Sequence, residues 1–336
     1  MIGYYIHHHG FGHLARATTV CAQMRRPVTA LTSLDVPDSH PFSGVVRLPR
    51  DDQGPHAAEP TAHGALHWAP HHDAGLSTRM SQIADWVRNT EPEAFVVDVS
   101  VEVALFVRLL GIPVIVVALP GKRIDAPHLL VHRIADHIVA AWPKAVCVPT
   151  WLRQYDHKTS YVGGVSRFEG RSRADREPGD GDKVLVLSGS DGAFGAEVTR
   201  CAAADSGSTS RSRWTTLGGA GSWRDDPWAQ ICAADVVVTH AGQGCIADVA
   251  AAQRPAVVIP QPRPFGEQAA TALMLRRHQL AVVAQDWPDR RAWPALLAHA
   301  RELDPQQWRR WAVAGAARRA AEAIETTARL CWGGAS

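Results

Sequence analysis

Cysteine is sparse and unpaired: six occur in 336 residues, at 21, 147, 201, 232, 245 and 331, with no Cys-x-x-Cys spacing. That pattern excludes a zinc knuckle and a disulfide framework. Net charge is only +2, from 35 Lys and Arg against 33 Asp and Glu, so the chain lacks the basic footprint of a nucleic-acid binder. Lysine is scarce, at positions 122, 144, 158 and 183 only, which fits a GC-rich coding sequence rather than a function. No apolar run approaches about 18 residues, so no membrane span is expected. The chain opens directly on a strand pattern, without a basic leader or cleavage site, so a cytoplasmic location is expected.

What is present is a repeating strand–helix alternation. At 336 residues and 46% hydrophobic, the chain is long enough for two α/β domains of ordinary size. Apolar runs predict strands at 2–6, 28–32, 44–48, 94–98, 114–117, 138–140, 183–187, 236–238, 256–259 and 280–284. Helices are expected at 14–25, 77–89, 102–110, 128–136, 193–204, through 252, and at 269–277, 293–301 and 305–330. Residues 50–75 carry no period and read as a long loop, a candidate acceptor lip. Residues 166–182 are charged and poor in apolar residues, the best linker in the chain. This gives an N-terminal Rossmann-like domain at 1–165, a linker at 166–182 and a C-terminal Rossmann-like domain at 183–305. A C-terminal helix at 306–336 either returns to the first domain or lays Trp308, Trp311 and its arginines on an anionic membrane.

The most informative stretch is 236–268, VVVTHAGQGCIADVAAAQRPAVVIPQPRPFGEQ. It reads as strand, Gly-rich turn, helix, strand, which is half of a nucleotide-binding α/β domain. Gly242 and Gly244 let backbone approach a ligand, and the unpaired N–H groups of the first helical turn favour an anion. His240 can donate to a phosphate, and Asp248 can accept ribose hydroxyls. The plain alternative is a Gly turn in a structural unit. A second Gly-rich turn, His7-His8-His9-Gly10-Phe11-Gly12-His13, follows the first strand. A neutral imidazole at His13 suits general-base work; His7 to His9 read as solvent-facing turn residues. Asp98 closes a buried strand, where open α/β sheets place ligand groups. It either partners His13 or caps the helix that follows. Ser188-Gly189-Ser190 close the strand at 183–187. Trp223 stacks on a base or packs in the core. Lys122 and Arg123 meet an anionic ligand or are solvated.

The order His-x-Gly, acid, Pro, Pro, acid-Gln at His240, Gly242, Asp248, Pro255, Pro260, Glu267 and Gln268 resembles the donor-site signature of GT-B glycosyltransferases. Both the UDP-glycosyltransferases and the MurG-like family 28 enzymes carry a version of it. The Gly12-His13 turn, Asp98 and Ser188-Gly189-Ser190 recur in the family's order. Two positions depart: the usual Glu is Asp248, and Gln243-Gly244-Cys245 replace the plant Trp-Asn-Ser, which bears on nucleotide identity. The resemblance implies two Rossmann-like domains facing each other across a cleft. It implies inverting, metal-independent transfer from a nucleotide-diphosphate sugar, preferentially a UDP-sugar, to a hydroxyl. His13 would be the base, oriented by Asp98. Gly12, Ser188, Gly189, Ser190, Trp223, His240, Gly242, Gln243, Gly244, Cys245, Asp248, Glu267 and Gln268 would hold the donor. No cofactor, metal or nucleic acid is expected. The acceptor would be a small molecule or a lipid-linked one, the latter with peripheral contact at the inner membrane face. A metal site at the histidine cluster, to which His71-His72-Asp73 could add ligands, an epimerase of the same fold, and a non-catalytic nucleotide-sugar binder are the rivals.

Overall fold

A computed structural model describes residues 1–53, 58–173, 183–189, 212–219 and 222–333. Contacts divide the chain into two units. The first holds 1–141, 148–162 and 316–336; the second holds 142–147 and 163–315. Residues 163–173 run into the second unit, where Ser166 and Phe168 are buried. The remainder of the charged stretch, 174–182, lies outside the described residues, as does the expected helix at 193–204.

The first unit is built on seven strands: β1 (Ile2–Ile6), β2 (Val28–Thr32), β3 (Gly44–Arg47), β4 (Ala94–Asp98), β5 (Val114–Ala118), β6 (His137–Ala140) and β7 (Thr159–Tyr161). Their order is β3-β2-β1-β4-β5-β6-β7 and every pairing is parallel. Every residue of β1, β2, β4 and β5 is buried, as expected of a parallel sheet covered on both faces. Among the described residues, the helices between these strands are α1 (Phe11–Cys21), α2 (Ala74–Thr90), α3 (Val101–Leu109) and α4 (Ala126–Ile134). The strand order reverses between β1 and β4, where Ile6 lies opposite Asp98. That reversal is the switch point at which open α/β sheets bind ligands.

The second unit repeats the plan with five parallel strands: β8 (Lys183–Leu187), β9 (Arg213–Leu217), β10 (Val236–Thr239), β11 (Ala256–Val258) and β12 (Val282–Val283). The order is β12-β11-β10-β8-β9, so its switch point lies between β8 and β10. The helices among the described residues are α5 (Trp228–Ala233), α6 (Gln243–Ala252), α7 (Glu267–Arg277) and α8 (Trp293–Glu302). One face of the sheet, Val184, Val186, Val236, Val238, Val257 and Ile259, packs on Trp293, Leu297 and Ala300 of α8. Each such fully buried valine side chain contributes about 1.5–3 kcal/mol.

Some element boundaries differ from the sequence reading. α1 starts at Phe11 rather than residue 14, because Gly10 turns the chain at φ 91 and the helix follows at once. Gly12 and His13 therefore sit in its first turn. α2 begins at Ala74, capped by Asp73, whose side chain accepts from Leu76 N at 2.6 Å. The expected single helix at 305–330 is two pieces. Pro305–Trp311 winds as a 3₁₀ turn, then Ala312 (φ 54) and Gly315 (φ 74) break the run before α9 (Ala316–Gly333). Trp308 and Trp311 are buried in the second unit, with Trp308 Nε1 donating to Arg254 O at 2.9 Å. They are core residues, not a membrane-facing pair. α9 belongs to the first unit, where Glu325 accepts from the backbone N–H groups of Arg25 and Arg26 at 2.7 and 2.8 Å. Among the described residues no helix is long and apolar enough to cross a membrane.

Candidate active site

At the first switch point, the turn after β1 delivers His13 onto α1, and the end of β4 delivers Asp98. His13 Nδ1 lies 2.9 Å from Asp98 Oδ1. Asp98 is fully buried, and Arg16 grips it from α1 with Nη2 on Oδ1 at 2.6 Å and Nε on Oδ2 at 3.2 Å. Burial alone would raise the Asp98 pKa. The Arg16 guanidinium and the contacts to His13 outweigh it and hold the carboxyl well below the usual range. The carboxylate is therefore ionised, and an ionised acceptor facing Nδ1 demands a proton there. His13 then carries Nδ1–H and turns an accepting Nε2 outward. Arg16 Nη2, 3.0 Å from the same Nδ1, directs its donors to Asp98.

Asp98 is not the cap of α3. Ser100 takes that role, accepting from Val103 N at 3.2 Å. Between them Val99 sits at φ 60, a left-handed conformation that costs a β-branched residue roughly 1–2 kcal/mol. The strain is held by the fixed Asp98 on one side and the capping Ser100 on the other. His7 and His8 are not solvent-facing: burial, their neighbouring histidines and Arg79 push both imidazoles down in pKa and keep them neutral. His9 alone is exposed. Lys122 is exposed, but Arg123 is buried with Nη1 2.9 Å from His128 Nε2, so it is not a solvated surface cation.

At the second switch point, β10 runs into His240 and then α6. Gly242 caps the helix at φ −69 without a side-chain hydrogen bond. Its glycine identity has a steric cause: a Cβ there would come within 2.4 Å of His240 Cε1. His240 is buried and its Nδ1 accepts from Gly242 N at 2.9 Å, so the ring proton is on Nε2, 3.5 Å from Cys245 Sγ. Gln243 and Cys245 are half-buried and Gly244 is exposed, with no atom of the described residues within 4 Å of its Cβ position. The first turn of α6 thus presents backbone N–H groups at the positive end of a ten-residue helix. Ser188 follows Leu187, which pairs with Thr239, so it lies beside His240 in the sheet. Its hydroxyl is buried without a hydrogen-bond partner among the described residues. Gly219 N donates to Gly189 O at 3.1 Å, which folds the turn after β9 over the end of β8. Ser190 lies outside the described residues.

Three expected donor residues have other settings. Asp248 is buried; its Oδ1 accepts from Ser166 Oγ at 2.7 Å and its Oδ2 lies 3.4 Å from Arg167 Nε. Burial lifts its pKa to about 6, against the pull of Arg167. A carboxyl so enclosed ties residues 166–167 to α6 instead of offering two free oxygens to a ribose. Gln268 is also buried, and its Oε1 accepts from Ala241 N at 3.1 Å and Gln261 N at 2.9 Å. It clips the loop before α7 to the Gly-rich turn and leaves only its amide nitrogen for a ligand. Trp223 is exposed, its Nε1 on Asp225 Oδ1 at 2.9 Å, which removes the core alternative. Glu267, half-buried, opens α7.

The family model described as the glycosyltransferase family 28 C-terminal domain matches residues 222–288. The matched segment lies within the second unit. By fold the whole chain is of the GT-B type: two parallel-sheet α/β domains shared with solved glycosyltransferases. The glycosyltransferase of kitacinnamycin superposes with a TM-score of 0.68 at 15% identity, covering 98% of this chain and 97% of that one. MurG of Acinetobacter baumannii superposes with a TM-score of 0.57 at 16% identity over 99% of both chains. A relative from Sorangium cellulosum is a UDP-N-acetylglucosamine–N-acetylmuramyl-(pentapeptide) pyrophosphoryl-undecaprenol N-acetylglucosamine transferase. It is 30% identical over 184 residues, 48% of this chain and 44% of that relative. The chain thus spans less than half the length of the curated relative it matches.

The family 28 segment contains the uncapped start of α6 and the Gln268 clip. Sequence reasoning missed Arg16, although its i+3 spacing from His13 on one helix face was a usable signal. It also missed Ser166 and Arg167, for which 82 and 81 residues of separation from Asp248 gave none. Among the described residues, two groups have the composition and spacing to hold a metal: His8, His9 and Asp52, and His67, Asp125 and His128.

Proposed function

We propose that the protein transfers a sugar from a UDP-sugar to an acceptor hydroxyl, with inversion at the anomeric carbon. His13 Nε2 takes the acceptor proton while Asp98 steadies the imidazolium through Nδ1–H. The acceptor oxygen attacks the anomeric carbon, and the bond from that carbon to the diphosphate oxygen breaks. The charge left on UDP is met by the first-turn N–H groups of α6, His240 Nε2–H and the Ser188 hydroxyl, without a metal at the phosphates. The observation that carries the reading is the coincidence of the family 28 match with the uncapped, Gly-rich start of α6 at the second switch point. The substrates in the Sorangium relative's name support UDP as the nucleotide and leave room for a lipid-linked acceptor. A small-molecule acceptor fits the chemistry equally. Either would be met in the cytoplasm, the lipid-linked one at the inner face of the membrane.

The test pairs calorimetry with turnover. UDP, dTDP, GDP and ADP are titrated, and UDP release from UDP-sugars is followed over an acceptor panel. His13→Ala should hold the UDP affinity within about twofold and slow transfer by roughly 10²–10⁴-fold. Equal loss of binding and turnover would remove His13 as the base. UDP binding without turnover in the native protein would leave a nucleotide-sugar binder.

A further inference from the structure

The run of histidines after β1 has no part in the proposed reaction. Buried His8 and exposed His9 nevertheless bring their Nε2 atoms to one oxygen, 3.3 and 3.4 Å from Asp52 Oδ2, and the three ligand atoms lie within 4.8 Å of one another. Those separations are long for an imidazole–carboxylate hydrogen bond, which closes to about 2.7–2.9 Å when charge-assisted. They match the edge of a tetrahedron instead: arms of about 2.0–2.1 Å put neighbouring ligand atoms about 3.3–3.4 Å apart. We propose that His8 Nε2, His9 Nε2 and Asp52 Oδ2 bind one divalent transition-metal cation of the zinc class. The fourth position is left to water. Two imidazoles and a carboxylate form a donor set such metals accept.

The second cluster shows what a hydrogen-bonded arrangement of the same residue types looks like. His67 Nε2 and His128 Nδ1 each stand 2.6 Å from an oxygen of Asp125. Arg123 donates to His128 Nε2 at 2.9 Å, which fixes the proton on Nδ1 and takes away the lone pair a metal would need. That cluster is a proton-linked chain. Among the described residues no such donor is in place on the Nε2 of His8 or His9.

The loop carrying Asp52 is fixed from beneath. Arg79, almost wholly buried, reaches Asp51 Oδ2 at 2.6 Å, Tyr5 Oη at 3.0 Å, Ser33 Oγ at 2.9 Å and Pro49 O at 2.7 Å. Arg50 holds the plane of the Asp52 carboxylate with Nε on Oδ1 at 2.8 Å and Nη2 on Oδ2 at 2.5 Å. As a like charge to the cation, Arg50 weakens the site while it orients the ligand. Asp51 Oδ1, 3.9 Å from His8 Nε2, adds a second negative charge. The assignment is independent of the transfer reaction and of the nucleotide.

The test is titration of Co²⁺ into the whole protein, read by the visible d–d bands of tetrahedral cobalt, with Zn²⁺ as competitor. One equivalent should give tetrahedral bands that Zn²⁺ abolishes. His9→Ala, at a side chain 67% exposed, and Asp52→Asn should each weaken binding by about tenfold or more. Arg50→Ala should tighten it, and His67→Ala should leave it unchanged. Absence of tetrahedral bands in the native protein, their survival in His9→Ala, or their loss in His67→Ala would overturn the proposal.

Discussion

Gly244→Asp separates the fold of the second unit from the anion site proposed on it. Gly244 is the second residue of α6, exposed, and a Cβ there meets open space. α6 has no acid in its first turn. An aspartate placed there meets the helix dipole and gains about 0.3–1 kcal/mol, so the thermal midpoint should stay or rise by about 1–3 °C. If the diphosphate of UDP sits on the same turn, the new carboxylate stands about 5 Å from a phosphate oxygen. Two unit charges at that distance repel by about 0.8 kcal/mol in bulk water and about 3.3 kcal/mol at an effective dielectric of about 20. A diphosphate brings more than one charge. Calorimetry should therefore show UDP binding weakened by roughly ten- to a hundredfold, the loss shrinking as salt is added. Uridine, which has no phosphate, should lose little. Equal loss for UDP and uridine would show a steric effect. Unchanged UDP affinity in a folded variant would remove the turn from the donor site.

Two further outcomes follow from the buried carboxyls. Asp248 is held to about 6, above its ordinary 3.8, so the folded protein binds its proton more tightly than the unfolded chain, and stability falls as pH rises from about 4 through about 6. Asp248→Asn should erase that slope and stabilise the protein at pH 7 by up to roughly 3 kcal/mol in urea unfolding, with UDP affinity within about threefold; a loss beyond tenfold would return Asp248 to the ligand. Asp98 is shifted the other way, so its stabilisation is full above about pH 4 and is lost only as pH falls below the ordinary carboxylate value. Arg16→Gln should cost about 3–5 kcal/mol, move the acid-unfolding midpoint to higher pH, and lower kcat more than it changes KM; unchanged acid unfolding would show that Arg16 does not hold the carboxylate.

The strands were legible because burial on both faces leaves little choice of residue. Runs such as Ala94–Asp98 and Val236–Thr239 are apolar up to their last position, and the polar residue that ends each run marks the ligand end of the sheet. Glycine made the two turns legible, and the resemblance supplied their order. Sequence could not reach the settings fixed by distant partners. Asp248 has the spacing of a ribose ligand, yet Ser166 and Arg167 fold back across the second unit to enclose it. Gln268 has the position of a sugar ligand, yet it spends its oxygen on two backbone donors. Trp308 and Trp311 shared a helical period with α9, and only the left-handed Ala312 and Gly315 separate them; Gly315 was the available signal. The left-handed Val99 had none, since valine argues against that conformation.

The two switch points meet charge by different means. In the first unit the polar residues are ionisable and paired: Asp98 is kept negative at zero exposure only because Arg16 and His13 both contact it. Such a set can move a proton, since the imidazole has a fixed tautomer and one outward nitrogen. In the second unit the carboxylate of Asp248 is enclosed by Ser166 and Arg167, and the groups at the turn are the first-turn backbone N–H groups, the His240 Nε2–H beside Cys245 Sγ and the buried Ser188 hydroxyl. Neutral donors held by a helix stabilise a diphosphate without a counter-charge that must itself be desolvated. The glycines of the turn follow from this division. Gly242 is glycine because His240 lies against its α-carbon, where a methyl group would displace the ring. Gly244 has no neighbour among the described residues within 4 Å of its Cβ position. On the proposed function, a glycine at the exposed positive end of this helix leaves its backbone open to the diphosphate.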